Sequence, residues 1–270
     1  MLDTVARKIL PIKARQVIGL WGIKQASKNI HTLRWFIWAI HGYKVGNNLK
    51  LIPNNRAVYY YQGHRIAMPR DGVGASLEIF QGEVYDRHLK VSEGGIVIDI
   101  GAYVGMFSVK AALKAKLVLA IEPSMENCKM VIGNTSGMGN VMVVNQAVSD
   151  YVGYGCLNVS NASACHSLVY DVGKEHQKVS VTTIDALLRE HVLDKEPIDF
   201  IKIDAEGSEM AALKGAKETL KRTSKVSVAA YHTMPNGEGE IQSVVDLLVS
   251  AGFRVIKDKG LRSYVYAVKD

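Results

Sequence analysis

The sequence predicts an α/β fold built on one mostly parallel β-sheet that carries helices on both faces. From Ile96 onward, short runs of apolar and β-branched residues alternate with helical patterns, an order typical of a parallel sheet covered on both faces. Two further apolar runs flank Gly260, which predicts an antiparallel pair at the end of the sheet. Hydrophobic residues make up 48% of the 270 residues, so the chain can bury a large core and is not a disordered protein.

The strands are predicted from short apolar runs, and the helices from apolar residues spaced three or four positions apart. The predicted strands of the sheet are Ile96–Ile100, Leu117–Glu122, Val141–Val144, Ile198–Asp204, Val226–Tyr231, Phe253–Ile256 and Tyr264–Val268. One hairpin and four helical patterns lie between them, the helices being marked by Val131, Leu187, Leu213 and Val244. Ahead of the sheet, the sequence predicts short strands over Leu51–Ile52, Ala57–Tyr61 and Arg65–Met68 and a helix over Leu77–Val91.

Charge divides the chain into a basic amino-terminal part and a near-neutral body. The chain has 33 Lys and Arg against 26 Asp and Glu, a formal net charge of +7. Residues 1–50 contain nine of the basic residues, a single acid and all three tryptophans, which leaves −1 for the rest of the chain. We therefore predict an amino-terminal extension with short strands over residues 1–76 and a second domain over residues 77–270.

Three roles are open to the amino-terminal extension. Residues Thr32–Ile40 combine aromatic side chains with flanking cations, a composition suited to the membrane–water interface. Leu33, Phe36 and Ile40 recur at helical spacing, however, and this pattern favours a helix packed on the body of the protein. Contact of residues 1–45 with a membrane surface and contact with nucleic acid remain the alternatives.

Neither a membrane span nor a targeting signal is predicted. No run reaches the ~18 uncharged apolar residues that a spanning helix needs, and the apolar run Val17–Ile23 has no small-residue cleavage site after it. Cys128, Cys156 and Cys165 are odd in number and lack the spacing of metal ligands, so neither a disulfide scaffold nor a metal site is predicted. The simplest setting for three free thiols is a reducing cytoplasm.

The most informative stretch of the sequence is Val97–Gly105. A buried strand ends after Asp99, turns on Gly101 and enters a helix a few residues later. Glycine at such a turn lets a ligand approach the backbone, and the helix N-terminus offers it unpaired N–H groups. The spacing is D-x-G-x-x-x-G, with Tyr103 in place of the glycine that admits a pyrophosphate, which disfavours an NAD-dependent dehydrogenase. An ordinary α/β connection is the alternative to a ligand site.

Acidic residues end two further strands. Glu122 closes the strand that follows the glycine turn, where a carboxylate can accept both hydroxyls of a ribose. Asp204 and Glu206 follow a buried strand at the carboxyl edge of the sheet, where open α/β folds bind ligands, although capping of the next helix would also explain them. His232 follows the fifth strand and is a candidate base because imidazole titrates near neutrality, but a lone histidine there is more often structural. The polar segment Tyr154–His176 predicts either a flap on the acceptor side or a surface hairpin.

At these positions the sequence resembles the FkbM family of S-adenosylmethionine-dependent methyltransferases. Five blocks carry the resemblance in order: VIDIGAYVGMFS (97–108), AIEPSMEN (120–127), NVMVVNQAVSD (140–150), VTTIDAL (181–187) and FIKIDAEGSEMAALKGA (200–216). The resemblance implies a Rossmann-like class I methyltransferase fold with a seven-stranded sheet, parallel except for its last strand. It implies S-adenosyl-L-methionine as cofactor, with a binding site formed by Asp99, Gly101, Ala102, Tyr103, Gly105, Glu122, Gln146 and Ala147. The basic extension lies outside the family core, and the strand end at Ala229–His232 lacks the acid that relatives often carry there.

The function predicted from these residues is O-methylation of a hydroxyl acceptor, such as a glycan or sugar, a lipid-linked molecule or a small metabolite. Candidate catalytic residues are Asp204, Glu206 and His232, placed where strand ends meet the expected cofactor site. The basic extension keeps an RNA methyltransferase in view, but an N-P-P-[YF] block of the kind that serves amino-group methylation is missing from the sequence. The third alternative is a non-catalytic module that binds a nucleotide or a membrane.

Overall fold

The computed structural model of the chain describes residues 48–160, 162–170, 175–230, 240–256, 258 and 264–269. The chain divides into two compact units, Met1–Gly82 and Glu83–Asp270, whereas the sequence places the boundary after residue 76. The basic segment over residues 1–45, with its tryptophans, lies outside the described residues, and so does His232. Among the helices that the structure describes, none is long and apolar enough to cross a membrane.

The first unit contains a three-stranded antiparallel sheet. Its strands are β1 (Leu49–Ile52), β2 (Arg56–Tyr61) and β3 (His64–Pro69), and β2 pairs with both neighbours. A 3-10 turn over Arg70–Gly72, helix α1 (Val73–Leu77) and a π-helical turn over Glu78–Gly82 follow. The ring of Phe80 stacks on Tyr59 and Tyr61 with centroids 4.8 and 4.6 Å apart, which anchors this turn on β2.

The helix predicted over Leu77–Val91 is wrong beyond Gly82. Helical structure ends there because Glu83 has a φ of +51°, in the left-handed region that an α-helix of L-residues does not continue through. The residues up to Val91 form turns and bends that still bury apolar side chains such as Tyr85 and Leu89. The apolar residues of this segment are therefore spaced as in a helix because they are buried, although the segment is not helical.

The second unit is built on a seven-stranded sheet. Its strands are β4 (Ile96–Ile100), β5 (Leu117–Ile121), β6 (Val141–Val144), β10 (Ile198–Ile203), β11 (Thr223–Ala229), β12 (Arg254–Ile256) and β13 (Tyr264–Val268). They are ordered β12-β13-β11-β10-β4-β5-β6, and only β13 runs antiparallel to its neighbours. The predicted α/β fold, including a reversed last strand, is confirmed.

The predicted hairpin forms part of a small second sheet. It consists of β7 (Ala147–Val148), β8 (Gly153–Val159) and β9 (Glu175–Thr182) in the order β7-β9-β8. The β8–β9 pair is the antiparallel hairpin that the sequence predicts, and β7 adds a parallel edge to β9. The segment between β8 and β9 extends from this sheet toward the site described below.

Helices connect the strands of the large sheet. They are α2 (Met106–Ala112), α3 (Met125–Thr135), α4 (Ile184–Glu190), α5 (Glu209–Lys214), α6 (Lys217–Lys221) and α7 (Glu240–Ser250). The apolar stripe from Met210 to Leu220 predicts one helix, but the structure has two, α5 and α6. They are separated at Gly215, where any β-carbon would overlap the carbonyl oxygen of Ser149. The carboxylate of Asp185 then caps α6 by accepting hydrogen bonds from the backbone N–H groups of residues 218 and 219.

The register of the central strands positions the functional residues. Ile100 at the end of β4 pairs with Ile121 of β5 on one side and with Ile203 of β10 on the other. Because the three strands are parallel, the residues that follow them emerge at one edge of the sheet. These residues include Gly101, Glu122 and Asp204, the three strand-end positions singled out from the sequence.

Candidate active site

The turn after β4 is held against the end of β5. The backbone N–H groups of Gly101 and Ala102 both donate to the carbonyl oxygen of Ile121, at 3.0 Å. Three residues of the turn have positive φ values: Gly101 (+70°), Tyr103 (+54°) and Gly105 (+82°). A turn that needs this conformation at three positions is set by its own backbone, and two of the three are the glycines of the sequence motif.

The structure gives glycine at position 101 a reason beyond the approach of a ligand. A β-carbon at Gly101 would overlap the carbonyl oxygen of Asp204. The backbone N–H of Asp204 also donates to the carbonyl oxygen of Ile100 at 3.1 Å. Glycine is therefore required where the turn after β4 packs against the turn after β10, whether or not a ligand is present.

Asp99 lies beneath the turn, not in it. Its side chain is fully buried; the hydroxyl of Ser108 donates to Oδ2 at 2.6 Å, and Nζ of Lys202 lies 3.1 Å from Oδ1. Lys202 Nζ also donates to the carbonyl oxygens of Ile100 (3.1 Å) and Gly101 (2.6 Å). The buried ion pair therefore fixes the end of β4 and the first residue of the turn from below.

Lys202 is a site residue that the sequence analysis missed. It is 3% exposed on β10, where its cross-strand partner on β4 is Asp99. The signal was available, because Lys202 is an ionisable residue within an otherwise apolar buried run, and such a residue is buried only when it is paired.

Glu122 closes the other side of the turn. Its carboxylate accepts hydrogen bonds from the backbone N–H of Tyr103 (2.9 Å, Oε2) and of Ser124 (3.0 Å, Oε1). Burial raises the pKa of Glu122 to about 7, although these two hydrogen bonds, the Asn127 side chain and the charge of Lys202 favour the ionised form. A carboxylate has about four acceptor positions, so this one retains the capacity to accept further donors.

The segment after β6 contributes two of the predicted residues and one that was not predicted. Asn145 donates from Nδ2 to the carbonyl oxygens of Glu122 (2.9 Å) and Pro123 (3.0 Å), which ties this segment to the end of β5. Gln146 is half-buried, and its Oε1 atom is buried without a hydrogen-bond partner. Ala147 is buried at the start of β7. An unpaired buried acceptor of this kind is satisfied by a ligand that brings an N–H donor.

The turn after β10 is stabilised by a buried glutamate that the sequence analysis did not single out. Glu209, the first residue of α5, is fully buried and accepts hydrogen bonds from the backbone N–H of Ala205 (2.8 Å) and Gly207 (2.9 Å). The backbone of the turn is thus held by Glu209, while the hydroxyl of Tyr85 donates to Oδ2 of Asp204. Capping of the next helix therefore does not account for Asp204.

The segment between β8 and β9 bridges the two turns. We call residues 162–170 the strap. Ser163 shares a hydrogen bond of 2.5 Å with the Tyr103 hydroxyl, and its carbonyl oxygen accepts from Asn127 Nδ2 at 3.0 Å. At the other end, the Ser167 hydroxyl donates to the carbonyl oxygen of Glu206 at 2.6 Å. The strap thus contacts both turns, and the strands on either side of it form the β8–β9 hairpin.

The structure brings most of the predicted site residues to one edge of the sheet. Asp99, Gly101, Ala102, Tyr103, Gly105, Glu122, Asp204 and Glu206 lie in or next to the two turns, with Gln146 and Ala147 following β6. His232, the third predicted base, lies outside the described residues. Within the described part of the chain, no group of three His, Cys, Asp or Glu side chains has an arrangement that could hold a metal ion.

The strand order, the glycine turn after β4 and the acid after β5 together define a class I methyltransferase fold. A family model described as the methyltransferase FkbM domain matches residues 99–255, which is more than half of the chain. The chain therefore belongs to the FkbM methyltransferase domain family, and the family predicted from the sequence is confirmed.

Several solved structures are similar in fold. An FkbM methyltransferase from Methylobacillus flagellatus shares 19% identity over 73% of this chain and 53% of its own, with a TM-score of 0.48. A SAM-dependent methyltransferase from Aquifex aeolicus shares 18% over 72% of this chain and 90% of its own, with a TM-score of 0.41. Fibrillarin from Aeropyrum pernix, in complex with S-adenosyl-L-methionine, shares 11% over 81% of this chain and 84% of its own, with a TM-score of 0.45. The chain thus spans about half the length of the FkbM structure, and no curated protein sequence matches it.

Proposed function

We propose that the protein is an S-adenosylmethionine-dependent O-methyltransferase whose acceptor is an uncharged hydroxyl compound. The observation that carries the proposal is the edge of the sheet where Glu122 and Asp204 flank one glycine turn. Glu122 suits the cofactor, and Asp204 suits the acceptor. Membership of the FkbM methyltransferase domain family supports the reaction class.

The residues present fit the cofactor. The Glu122 carboxylate retains acceptor capacity for a ribose hydroxyl, and the unpaired Oε1 of Gln146 would be satisfied by an exocyclic amino group such as that of adenine. Gly101, Ala102, Tyr103 and Gly105 would line the cofactor through their backbone, and Ala147 would lie beside the base. Asp99 is proposed to act through Lys202 by fixing the turn, because its Oδ2 accepts from Ser108 and its Oδ1 lies 3.1 Å from Lys202 Nζ.

When bound, the cofactor supplies an electrophilic methyl group on a sulfonium. The chain's own task is to align the acceptor hydroxyl and to take its proton as the new oxygen–carbon bond forms. Asp204 is the proposed base, since its carboxylate is oriented by the Tyr85 hydroxyl at the carboxyl end of β10. Glu206 is proposed to lie beside the acceptor, and His232 remains the alternative base.

The nature of the acceptor follows from the charge at this edge. Asp204 and Glu206 both belong to the turn after β10, two positions apart, and two carboxylates repel a polyanion but accept hydrogen bonds from hydroxyl groups. We therefore favour a sugar, a lipid-linked glycan or a small hydroxylated metabolite over RNA. For residues 1–45 the sequence pattern favours packing on the body of the protein, with contact with a membrane surface as an alternative. A cytoplasmic setting, which suits the free cysteines, is a further part of the proposal.

Calorimetry and mass spectrometry test the proposal in sequence. We expect the full chain to bind S-adenosylmethionine and S-adenosylhomocysteine but not NAD. Pools of glycans and small molecules incubated with enzyme and methyl-labelled cofactor should then yield a product that has gained one labelled methyl group. The Asp204→Asn variant should lower turnover of that acceptor by ~10² or more, whereas Asp246→Asn, on an exposed residue of α7, should not. Unchanged turnover in Asp204→Asn, or methylation of RNA alone, would contradict the proposal.

A further inference from the structure

Tyr85 connects the segment before β4 to Asp204 in the turn after β10. It lies in the turns that precede β4, is 5% exposed, and its hydroxyl donates a hydrogen bond to Oδ2 of Asp204. Position 85 lies outside the five sequence blocks of the family. Its role follows only from the contacts that its side chain makes.

The ring of Tyr85 is fixed by three neighbours. Phe107 of α2 and Tyr264 of β13 make edge-to-face contacts with it, at centroid distances of 5.7 and 5.6 Å. Nζ of Lys202 lies 5.0 Å from the ring centroid, within the range of a cation–π contact. With its ring held in this way, the hydroxyl of Tyr85 has a fixed direction and can fix the carboxylate that it binds.

The same lysine also fixes the cofactor side. Lys202 Nζ donates to the carbonyl oxygens of Ile100 and Gly101, so one ammonium group contacts the turn after β4 and the ring that orients Asp204. Gly101 in turn packs directly on the backbone of Asp204. The main chain of the two turns is thus held together from below, and the Tyr85 hydroxyl binds the Asp204 carboxylate itself.

We infer that Tyr85 is a positioning residue that aims the Asp204 carboxylate at the methyl group to be transferred. This inference rests on the proposed function, in which Asp204 faces the acceptor. Tyr85 itself touches neither substrate nor cofactor. Removing its hydroxyl should therefore weaken the interaction of the Asp204 carboxylate with a group in the position of the methyl group. The affinity for the rest of the cofactor should stay unchanged.

The test uses two cofactor analogues and needs no acceptor. S-adenosylhomocysteine has nothing in the place of the methyl group, whereas sinefungin has an amino group there, which is cationic at neutral pH. A carboxylate aimed at this position binds sinefungin more tightly, so the ratio of the two dissociation constants reports its placement. A general structural defect changes both constants together and leaves the ratio unchanged.

We expect the full-length wild-type protein to prefer sinefungin, and Asp204→Asn to lose about tenfold or more of that preference. Tyr85→Phe, which keeps the ring contacts, should lose about three- to tenfold of it while binding S-adenosylhomocysteine within about twofold of wild type. The matched control is Tyr266→Phe, which removes another buried hydroxyl, one that donates to the carbonyl oxygen of Val84 in the same segment. This control should leave the ratio at its wild-type value.

The outcomes separate the inference from the proposed function. An unchanged ratio in Asp204→Asn contradicts the placement of Asp204 in the proposed function. If Asp204→Asn loses the preference for sinefungin but Tyr85→Phe keeps or increases it, the positioning role alone is overturned. The positioning role is also overturned if Tyr266→Phe loses as much of this preference as Tyr85→Phe does. If Tyr85→Phe does not fold, 4-fluorophenylalanine incorporated at position 85 keeps the ring and its size but removes the donor. It should give a loss similar to that expected of Tyr85→Phe, and an unchanged ratio again overturns the inference.

Discussion

Protonation of Glu122 should make cofactor binding depend on pH near neutrality. Burial raises the pKa of this carboxyl from 4.5 to about 7, and a ribose hydroxyl that donates a hydrogen bond to it selects the ionised form. Below that pKa the protein must release a proton before it binds, so the affinity falls as the pH falls. For a single group with this pKa, the dissociation constant of S-adenosylhomocysteine should be about tenfold larger at about pH 6 than at about pH 8.

Isothermal titration calorimetry at these two pH values measures the effect, and two variants isolate it. Glu122→Gln cannot ionise, so it should bind more weakly than wild type at the higher pH and show no tenfold change between the two. Glu126→Gln makes the same substitution at an exposed residue on the next helix and should behave as wild type. A wild-type affinity that is constant over this range, or an equal pH dependence in Glu122→Gln, would refute the assignment of the ribose to Glu122.

The same pKa predicts a signature in stability without any ligand. Because the folded-state pKa lies above the unfolded value, the folded protein gains a proton first as the pH falls. The contribution of Glu122 to the free energy of unfolding is therefore lowest above about pH 7 and rises as the pH falls toward about 4.5, by about 3 kcal/mol in all. Urea unfolding of wild type compared with Glu122→Gln at each pH measures this difference. A difference that stays flat across the window would show that the carboxyl is not buried as described.

Two further predictions concern the glycine turn and the amino-terminal extension. Gly101→Ala should lower the free energy of unfolding by more than ~2 kcal/mol, because the added β-carbon meets the Asp204 carbonyl oxygen. Gly133→Ala, in α3 with open space around it, should raise the free energy of unfolding by ~1 kcal/mol. Urea unfolding measures both, and the opposite ranking of the two variants would contradict the packing of the two turns. If the extension binds a membrane surface, deletion of residues 1–45 should leave S-adenosylhomocysteine binding intact and abolish co-sedimentation with anionic vesicles at low salt. A full-length protein that does not co-sediment with such vesicles rules out the membrane role.

The parallel sheet could be predicted from the sequence because its strands are short, buried and bounded by polar residues or glycine. The bounds of β4, β6 and β13 agree with those predicted, since each apolar run ends where the strand leaves the core. The segment Leu77–Val91 shows the limit of the same reasoning. Its apolar spacing is helical, but one residue with positive φ, Glu83, ends the helix, and only the backbone conformation reveals that.

The candidate site was predictable where its residues follow strands and not where they reach it through tertiary contacts. Glu122 and Asp204 stand at strand ends, so the topology alone brings them to one edge. Tyr85 and Glu209 act through hydrogen bonds to that edge from a preceding segment and a following helix, and their positions at no strand end give no indication of these contacts. The sequence predicts Gly101 as a site residue but gives only part of the reason for glycine there, because it does not show the Asp204 carbonyl oxygen packed against this position.

Glu209 has a consequence for how the specificity of this site can diversify. Because this buried residue on α5 holds the main chain at Ala205 and Gly207, those two hydrogen bonds do not depend on the side chain at position 206. One glutamate thus preserves the shape of the turn, and the neighbouring Glu206 is the one that the proposed function places beside the acceptor. In that proposal, exchange of Glu206 for a residue that tolerates its φ of +49° changes the charge offered to an acceptor while the scaffold around it persists.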